Sequence, residues 1–222
     1  FPTGPYGAWS SGATEVEGYR NLRNAVRRVR RGLSRPDAPS YSYLYLSEVD
    51  HLSHLHGPNS PEVKREIRAV DRALGRIRST LPASVRLVVT ADHGHIEVPK
   101  ERLDVLEHTD PMLSLLSCPP SGEGRVPIFH VRPGCERTFR DAFAERFSDD
   151  FVLITPDDAE ELGLLGPVPL AARTRARLGT YLAISSGPDA VEYLAPKDEP
   201  VGLVGMHGGM SRDEVEIPLF LA

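Results

Sequence analysis

The sequence of 222 residues predicts an α/β fold in which helices flank a mainly parallel central sheet, with an inserted α+β subdomain. Residues 41–49 and 85–90 are rich in aromatic and aliphatic side chains and predict two strands. Between them, apolar residues recur at helical spacings, as on one face of a helix. The order strand, helix, strand, with largely apolar strands, is typical of parallel strands joined by a right-handed crossover.

Two helices are predicted by the residues at which they begin. Thr14 and Glu17 have the spacing of a capping box and predict a helix that continues to about Leu33. Arginines line one face of this helix, and we interpret them as a solvated surface rather than a binding site for an anionic partner. Residues 60–62, Ser-Pro-Glu, combine an N-cap, a first-position proline and an early acidic residue, and they predict the helix between the two strands.

The sequence from about 101 to 200 is divided into short pieces by glycine and proline. We interpret residues 101–200 as an inserted subdomain, and residues 1–100 with 201–222 as the α/β core. The elements predicted beyond residue 100 are strands at 126–131, 151–154 and 216–221, helices at 135–147 and 157–162, and a hairpin of 178–185 with 191–194.

Composition excludes several classes of protein. A hydrophobic content of 40% and a charged content of 26% are ordinary for a globular protein and argue against overall disorder. The net charge of -5 argues against broad nucleic-acid binding, and no run of about 18 apolar residues predicts a membrane span.

Cys118 and Cys135 are interpreted as buried thiols. The chain begins at Phe1, which we interpret as the start of a fragment or processed chain; the compartment stays open, with the cytoplasm slightly favoured.

Three short histidine-containing clusters are candidates for chemistry: 50–54, 92–94 and 205–209. Asp50 and Asp92 each follow a predicted strand, and ligands of open α/β sheets bind at the carboxyl edge. Neighbouring carboxylates repel each other unless a cation lies between them. Mixed aspartate and histidine ligands suit Zn²⁺, with manganese or iron also possible. The sequence therefore predicts a metal site, with the adjacent glycines allowing the backbone to approach a metal or phosphate closely.

Each cluster taken alone also has a plainer explanation. Asp92-His93-Gly94 is compatible with a turn at the end of a strand, and a histidine in a glycine-rich loop is usually a surface residue. His51, His56 and His95 lie near the predicted ligands. We interpret these three as flanking surface histidines rather than groups that support a metal.

The clusters in this order resemble the alkaline phosphatase superfamily. The motifs are Asp50-x-x-x-His54, Thr90-x-Asp92-His93-Gly94 and Gly205-x-His207-Gly208-Gly209, and the nucleotide pyrophosphatase/phosphodiesterase branch is the most similar. The likeness covers residues 43–95 and 202–221. It implies two divalent metal ions, usually zinc and alternatively manganese, with Asp50, His54 and His207 as ligands of one ion. The same resemblance implies Asp92 and His93 as ligands of the other ion.

The resemblance also implies an earlier metal-binding aspartate and a threonine or serine nucleophile. We identify neither in the chain: Asp37 lies in a linker, Thr3 has no metal carboxylate before it, and Thr14 is better explained as a helix cap. We therefore expect the part of the domain that carries the nucleophile to lie outside this chain.

The function that the resemblance implies is metal-dependent hydrolysis of a phosphoric ester, of phosphodiesterase or nucleotide pyrophosphatase type. The reaction would proceed in two steps through the nucleophile, with a small phosphate ester or a nucleotide as substrate. Two alternatives remain open: a phosphomutase similar to cofactor-independent phosphoglycerate mutase, and a truncated domain that binds metal without turnover. The sequence does not identify the substrate.

Overall fold

A computed structural model describes residue 12 and residues 16–33, 41–147, 151–167 and 169–222. Its helices and strands form a mixed α/β fold, which confirms the predicted fold class. The helices are α1 (Leu22–Leu33), α2 (Glu48–His56), α3 (Pro61–Arg78), α4 (Glu136–Phe147), α5 (Pro156–Glu161), α6 (Ala172–Arg175) and α7 (Arg212–Val215). The strands are β1 (Val88–Thr90), β2 (Ile96–Glu97), β3 (Leu103–Glu107), β4 (Ser121–Glu123), β5 (Val126–Phe129), β6 (Phe151–Ile154), β7 (Tyr181–Ser185), β8 (Ala190–Leu194), β9 (Gly205–Met206) and β10 (Leu219–Leu221). Thr3, Thr14 and Asp37 lie outside the described residues.

The chain divides into two compact units, and the division of core and insert predicted from the sequence stays a prediction. The first unit comprises Phe1–Val49, Lys64–Val89 and Phe220–Ala222, and the second comprises Asp50–Val63 and Thr90–Leu219. Among the described helices, none combines the length and apolar character that crossing a bilayer requires.

In the first unit, two helices bury their apolar faces in a small shared core. Val26 of α1 packs with Ala73 and Ile77 of α3. Near the end of the unit, Leu87 and Ala222 exchange two backbone hydrogen bonds of 2.7 and 2.9 Å, beside the pairing of β1 with β10. The helix predicted from residues 60–62 is confirmed, since α3 begins at Pro61 and the Val63 amide donates to Ser60 Oγ.

The strand predicted over residues 41–49 is wrong. Residues 41–47 form neither helix nor strand, and α2 begins at Glu48, so Asp50 lies in the first turn of a helix. Aromatic and aliphatic residues favour extended backbone, but a strand also needs a partner that completes its ladder. No described residue forms a ladder with 41–47, and the side chains of Tyr41 and Tyr43 are largely exposed.

The second unit has its core around a four-stranded antiparallel sheet with the order β4-β5-β7-β6. Three phenylalanines of α4 recur every fourth residue, so one face of the helix is aromatic. Phe139, Phe143 and Phe147 pack with Phe129 of β5 and Phe151 of β6, with ring centroids 4.9–6.5 Å apart. The burial of these large rings is the main apolar stabilisation of this unit.

The predicted hairpin of 178–185 with 191–194 is also wrong, because its two strands belong to different sheets. β7 pairs with β5 and β6, whereas β8 pairs in parallel with β3, with Leu103 opposite Ala190. The connection opens around a buried side chain: Arg125 Nη1 donates to the carbonyl oxygens of Gly187 and Asp189. Because β5 and β6 occupy both edges of β7, no edge is left on which β8 could pair as a hairpin partner.

Strands and helices predicted for 126–131, 135–147, 151–154, 157–162 and 216–221 are each present as β5, α4, β6, α5 and β10, with ends moved by up to three residues. Both cysteines are free thiols, as predicted, but Cys118 is exposed rather than buried. Cys135 is half-buried against the phenylalanine core.

We expect Phe139→Ala to lower the free energy of unfolding by about 3–5 kcal/mol, because the truncation leaves a cavity among the rings. Urea unfolding followed by circular dichroism measures this change. The matched control is Val152→Ala on β6, where the side chain is 55% exposed and the expected change is within roughly 0.5 kcal/mol. Equal destabilisation by the two variants would contradict the central role of the rings.

Candidate metal centre

Four histidine rings surround one carboxylate oxygen in the second compact unit. The Nε2 atoms of His95, His54, His207 and His93 lie 3.2, 3.4, 3.9 and 4.0 Å from Asp50 Oδ1. Three segments that are far apart in the sequence therefore converge on one atom. The structure thus brings together four of the five residues that the sequence predicted as metal ligands, and it adds His95.

Helix α2 supplies the carboxylate and one imidazole from the same face. Asp50 and His54 are four residues apart, so consecutive turns present both side chains to one side. The Nδ1 atom of His54 lies 2.8 Å from the carbonyl oxygen of Gly205. This hydrogen bond orients the ring and leaves Nε2 facing Asp50, as is common for metal-binding histidines.

The short pair β2–β9 brings the other histidines together. Its antiparallel register sets Ile96 opposite Met206, and one step further along the ladder His95 stands opposite His207. The rings of His95 and His207 have centroids 5.0 Å apart, and those of His93 and His207 stack at 3.6 Å. A two-residue ladder is thus sufficient to join the second and third sequence clusters.

The glycines of these clusters allow backbones of the protein to approach one another. A Cβ on Gly94 would stand 1.9 Å from the carbonyl oxygen of Asp213, and one on Gly205 would stand 2.3 Å from that of Ser53. Neither position has room for a side chain. The sequence interpretation, that the glycines allow approach to a metal or phosphate, stays a prediction; at Gly94 and Gly205 the close approach seen is to backbone oxygens of the protein.

His95 is the site residue that sequence reasoning missed. Its interpretation as a flanking surface histidine is wrong, since the side chain is 9% exposed and lies inside the cluster. The available signal was its spacing from His93, because residues two apart in extended backbone point to the same side. His51 and His56, interpreted in the same way, are exposed.

Asp92 lies at the edge of the cluster. Its side chain is 65% exposed, and Oδ1 is 3.8 Å from His93 Nε2. The donor atoms of Asp50, His93, His95 and His207 all lie within 4.8 Å of one another, whereas neither Asp92 nor His54 is part of that group. Within the part of the chain that the structure describes, this is the one group of histidine, cysteine and acidic residues with such spacing.

Two buried atoms of the cluster have no hydrogen-bond partner among the described residues: Asp50 Oδ1 and His95 Nε2. Leaving a buried polar atom unpaired costs free energy, and such atoms in native proteins usually have a partner. Here the unpaired atoms face each other across 3.2 Å. A divalent cation would satisfy a carboxylate oxygen and several imidazole nitrogens together, so the donor set fits a metal ion.

Two of the four imidazoles, those of His95 and His207, have lowered pKa values, which favour the neutral form that binds metal. Burial lowers the pKa of His95 to about 4, and the neighbouring His207 and His54 rings lower it further than Asp50 raises it. Burial also lowers the pKa of His207, with His93 and His54 contributing. A neutral ring keeps a lone pair on nitrogen, which is what a metal ligand requires.

We expect the metal-free protein to lose stability as the pH falls from about 6.5 to about 4. The unfolded chain protonates His95 near 6.5, whereas the folded chain resists protonation until about 4, so acid favours the unfolded state across that window. Thermal unfolding at a series of pH values measures the loss, and His95→Gln should show a weaker dependence. An imidazole NMR signal of His95 that titrates near 6.5 would contradict this expectation.

Similarity to known proteins agrees with this geometry. Residues 6–157, more than half of the chain, match the family described as type I phosphodiesterase / nucleotide pyrophosphatase. The human ectonucleotide pyrophosphatase/phosphodiesterase family member 7 is 36% identical over 69 residues, which cover 29% of this chain and 15% of that protein. The match therefore spans only a small part of this relative.

Solved structures show the same fold. The murine ectonucleotide pyrophosphatase/phosphodiesterase 5 aligns with a TM-score of 0.67 and 20% identity, covering 94% of this chain and 53% of that one. A structure of the same murine protein in complex with AMP aligns equally well. The resemblance stated from the motifs is confirmed: the chain belongs to the type I phosphodiesterase / nucleotide pyrophosphatase family, within the alkaline phosphatase superfamily.

Proposed function

We propose that this chain is the metal-binding part of a metal-dependent phosphoric-ester hydrolase of phosphodiesterase or nucleotide pyrophosphatase type. The observation that carries the proposal is the buried Asp50 Oδ1, which has no hydrogen bond and faces four imidazoles in a member of this family. Such a cluster has no evident use in stabilising the fold, because it leaves polar atoms unpaired. A cation would remove that cost and supply the chemistry of the family.

The ligands we propose follow the family motif and the distances. Asp50, His54 and His207 would hold one ion, and Asp92 with His93 would contribute to a second. His95 is a further candidate donor, since its Nε2 lies nearest to Asp50 Oδ1. Nitrogen and carboxylate donors without thiolates suit zinc, and manganese is the alternative.

The reaction we propose is hydrolysis of a small phosphate ester or nucleotide. When bound, divalent ions polarise a phosphoryl oxygen and stabilise the charge that develops on the transferring group. The contribution of this chain would be to hold the imidazoles and the Asp50 carboxylate at fixed positions. The threonine or serine nucleophile is proposed to lie outside the chain. A nucleotide substrate is supported by the murine neighbour, which was solved with AMP.

The hydrolase is preferred to the phosphomutase on the basis of family membership. The matched family is that of type I phosphodiesterases and nucleotide pyrophosphatases, and the match includes both the Asp50–His54 and Asp92–His93 motifs. A domain that binds metal without turnover shares every feature of the cluster, so only an activity measurement separates it from the hydrolase.

We expect His207→Ala to weaken Zn²⁺ binding by about 10-fold or more, because it removes one imidazole from the cluster. Competition with a chromogenic chelator measures the affinity. The control is His51→Ala, which removes an exposed imidazole from the residue next to Asp50 and should leave the affinity unchanged. Equal affinity of the His207 variant and the unaltered chain would remove His207 from the site.

Activity is tested with bis(p-nitrophenyl) phosphate and the complete product of the gene that encodes this chain, beside the 222-residue chain itself. We expect turnover by the complete product that stops on chelation and returns with Zn²⁺ or Mn²⁺. The 222-residue chain should bind metal without turnover. Turnover by the 222-residue chain would show that the nucleophile lies within it. If the complete product shows no turnover, a domain that binds metal without catalysis is favoured.

A further inference from the structure

A buried ion pair lies behind two loops, one carrying His93 and His95 and the other carrying His207, which we call the histidine loops. The proposed chemistry does not use this ion pair. Arg125 and Glu214 are both almost fully buried, and two parallel hydrogen bonds join them: Nε to Oε1 at 2.6 Å and Nη2 to Oε2 at 2.7 Å. Both residues belong to the second compact unit. Such a pair often adds little net stability, because the removal of two charges from water offsets their attraction. The role of this ion pair is therefore better explained by the segments that it holds in position than by net stabilisation.

The guanidinium of Arg125 is fixed on the side of the four-stranded sheet. Its Nη1 atom donates to Ser185 Oγ and to the carbonyl oxygens of Gly187 and Asp189. With Nε and Nη2 bound to Glu214, every nitrogen of the group has an acceptor. The guanidinium of Arg125 therefore donates to protein acceptors through all three nitrogens and is not placed to bind a phosphate.

Glu214 contacts both histidine loops. Its carboxylate accepts hydrogen bonds from the backbone amides of Gly209 and Ser211, at 2.9 and 3.2 Å, just after His207. Its own carbonyl oxygen accepts from the amide of Gly94, at 2.8 Å. Gly94 is the residue between His93 and His95. One residue thus joins the segments that carry three of the four histidines.

The loops pack directly against this pair. A Cβ on Gly209 would stand 2.7 Å from Arg125 Nη2 and 2.9 Å from Glu214 Oε2. At Gly94, the backbone of the residue before Glu214 leaves no room for a Cβ. Small movements of the pair would therefore be transmitted to both loops.

We infer that the Arg125–Glu214 ion pair is a positioning device that holds His93, His95 and His207 in the arrangement that binds metal. The inference rests on the proposed metal site, but neither residue of the pair is a ligand. The oxygens of Glu214 are already occupied by Arg125 and by the amides of the loop. The pair acts through the backbone, and its loss should change the geometry and affinity of the site.

The test compares metal binding by three variants of the whole chain. In Glu214→Gln, the side-chain NH₂ of the glutamine replaces one carboxylate oxygen. This NH₂ then faces another N–H donor, either that of Arg125 or those of the Gly209 and Ser211 amides. In Arg125→Met/Glu214→Met, both charges are removed together, so no buried charge is left unpaired and folding is favoured. Arg146→Met is the control, since it removes an arginine that pairs with Asp104 and Asp110.

We expect Zn²⁺ affinity to fall by about 10-fold or more in Glu214→Gln and in the double variant, the range seen when groups behind metal ligands are removed. The visible bands of bound Co²⁺, which report ligand geometry, should also shift. Arg146→Met should match the unaltered chain in both measurements. Circular dichroism establishes that each variant is folded. If neither variant of the pair folds, Ser211→Ala removes one hydroxyl from the same carboxylate and should produce a smaller loss in the same direction.

The outcomes separate this inference from the proposed function. If the unaltered chain binds neither Zn²⁺ nor Co²⁺, the proposed metal site fails, and the inference fails with it. If the unaltered chain binds metal and the folded variants of the pair bind it with equal affinity and the same Co²⁺ spectrum, only the positioning role is overturned. Weaker binding with a changed spectrum supports both.

Discussion

An unpaired carboxylate oxygen at the centre of four imidazoles is the constraint on which the site depends. Asp50 Oδ1 is buried without a hydrogen bond, and burial lowers the pKa values of His95 and His207, which keeps those rings neutral. The cluster therefore contains a negative charge and several lone pairs but no compensating cation of its own. In a medium of low polarity this arrangement is costly unless a positive ion completes it. The proposal that the cluster binds a metal ion rests on this balance together with family membership.

The fold meets that constraint by fixing backbones rather than by fixing each ring separately. The register of β2 with β9 brings His95 opposite His207, and the hydrogen bond from His54 to Gly205 ties the same strand to α2. Behind the loops, Glu214 connects them to Arg125, the residue immediately before β5. Since β5 carries Phe129 of the aromatic core, one short segment of the chain links that core to the loops of the site.

The sequence predicted which residues lie together better than the elements that carry them. Asp50, His54, His93 and His207 lie together, as expected from residue type and local spacing, and their role as metal ligands stays a prediction. The helix around Asp50 was predicted as a strand because aromatic content does not reveal whether a ladder partner exists. The false hairpin has a similar cause, since both edges of β7 are paired with β5 and β6, strands that lie much earlier in the chain. Long-range contacts of this kind leave no trace in local periodicity.

The donors of the chain are unevenly distributed between the two proposed ions. The buried Oδ1 atom of Asp50 faces the buried Nε2 atom of His95, whereas the side chain of Asp92 is mostly exposed and approaches His93. A buried carboxylate oxygen beside the imidazoles of His95 and His207 gains more from a cation than an exposed carboxylate, because water already solvates the latter. We therefore propose that the ion near Asp50 would be held largely by groups of this chain. The proposed ion near Asp92 would gain less from the described residues, so its binding is the one that we expect to depend more on other ligands.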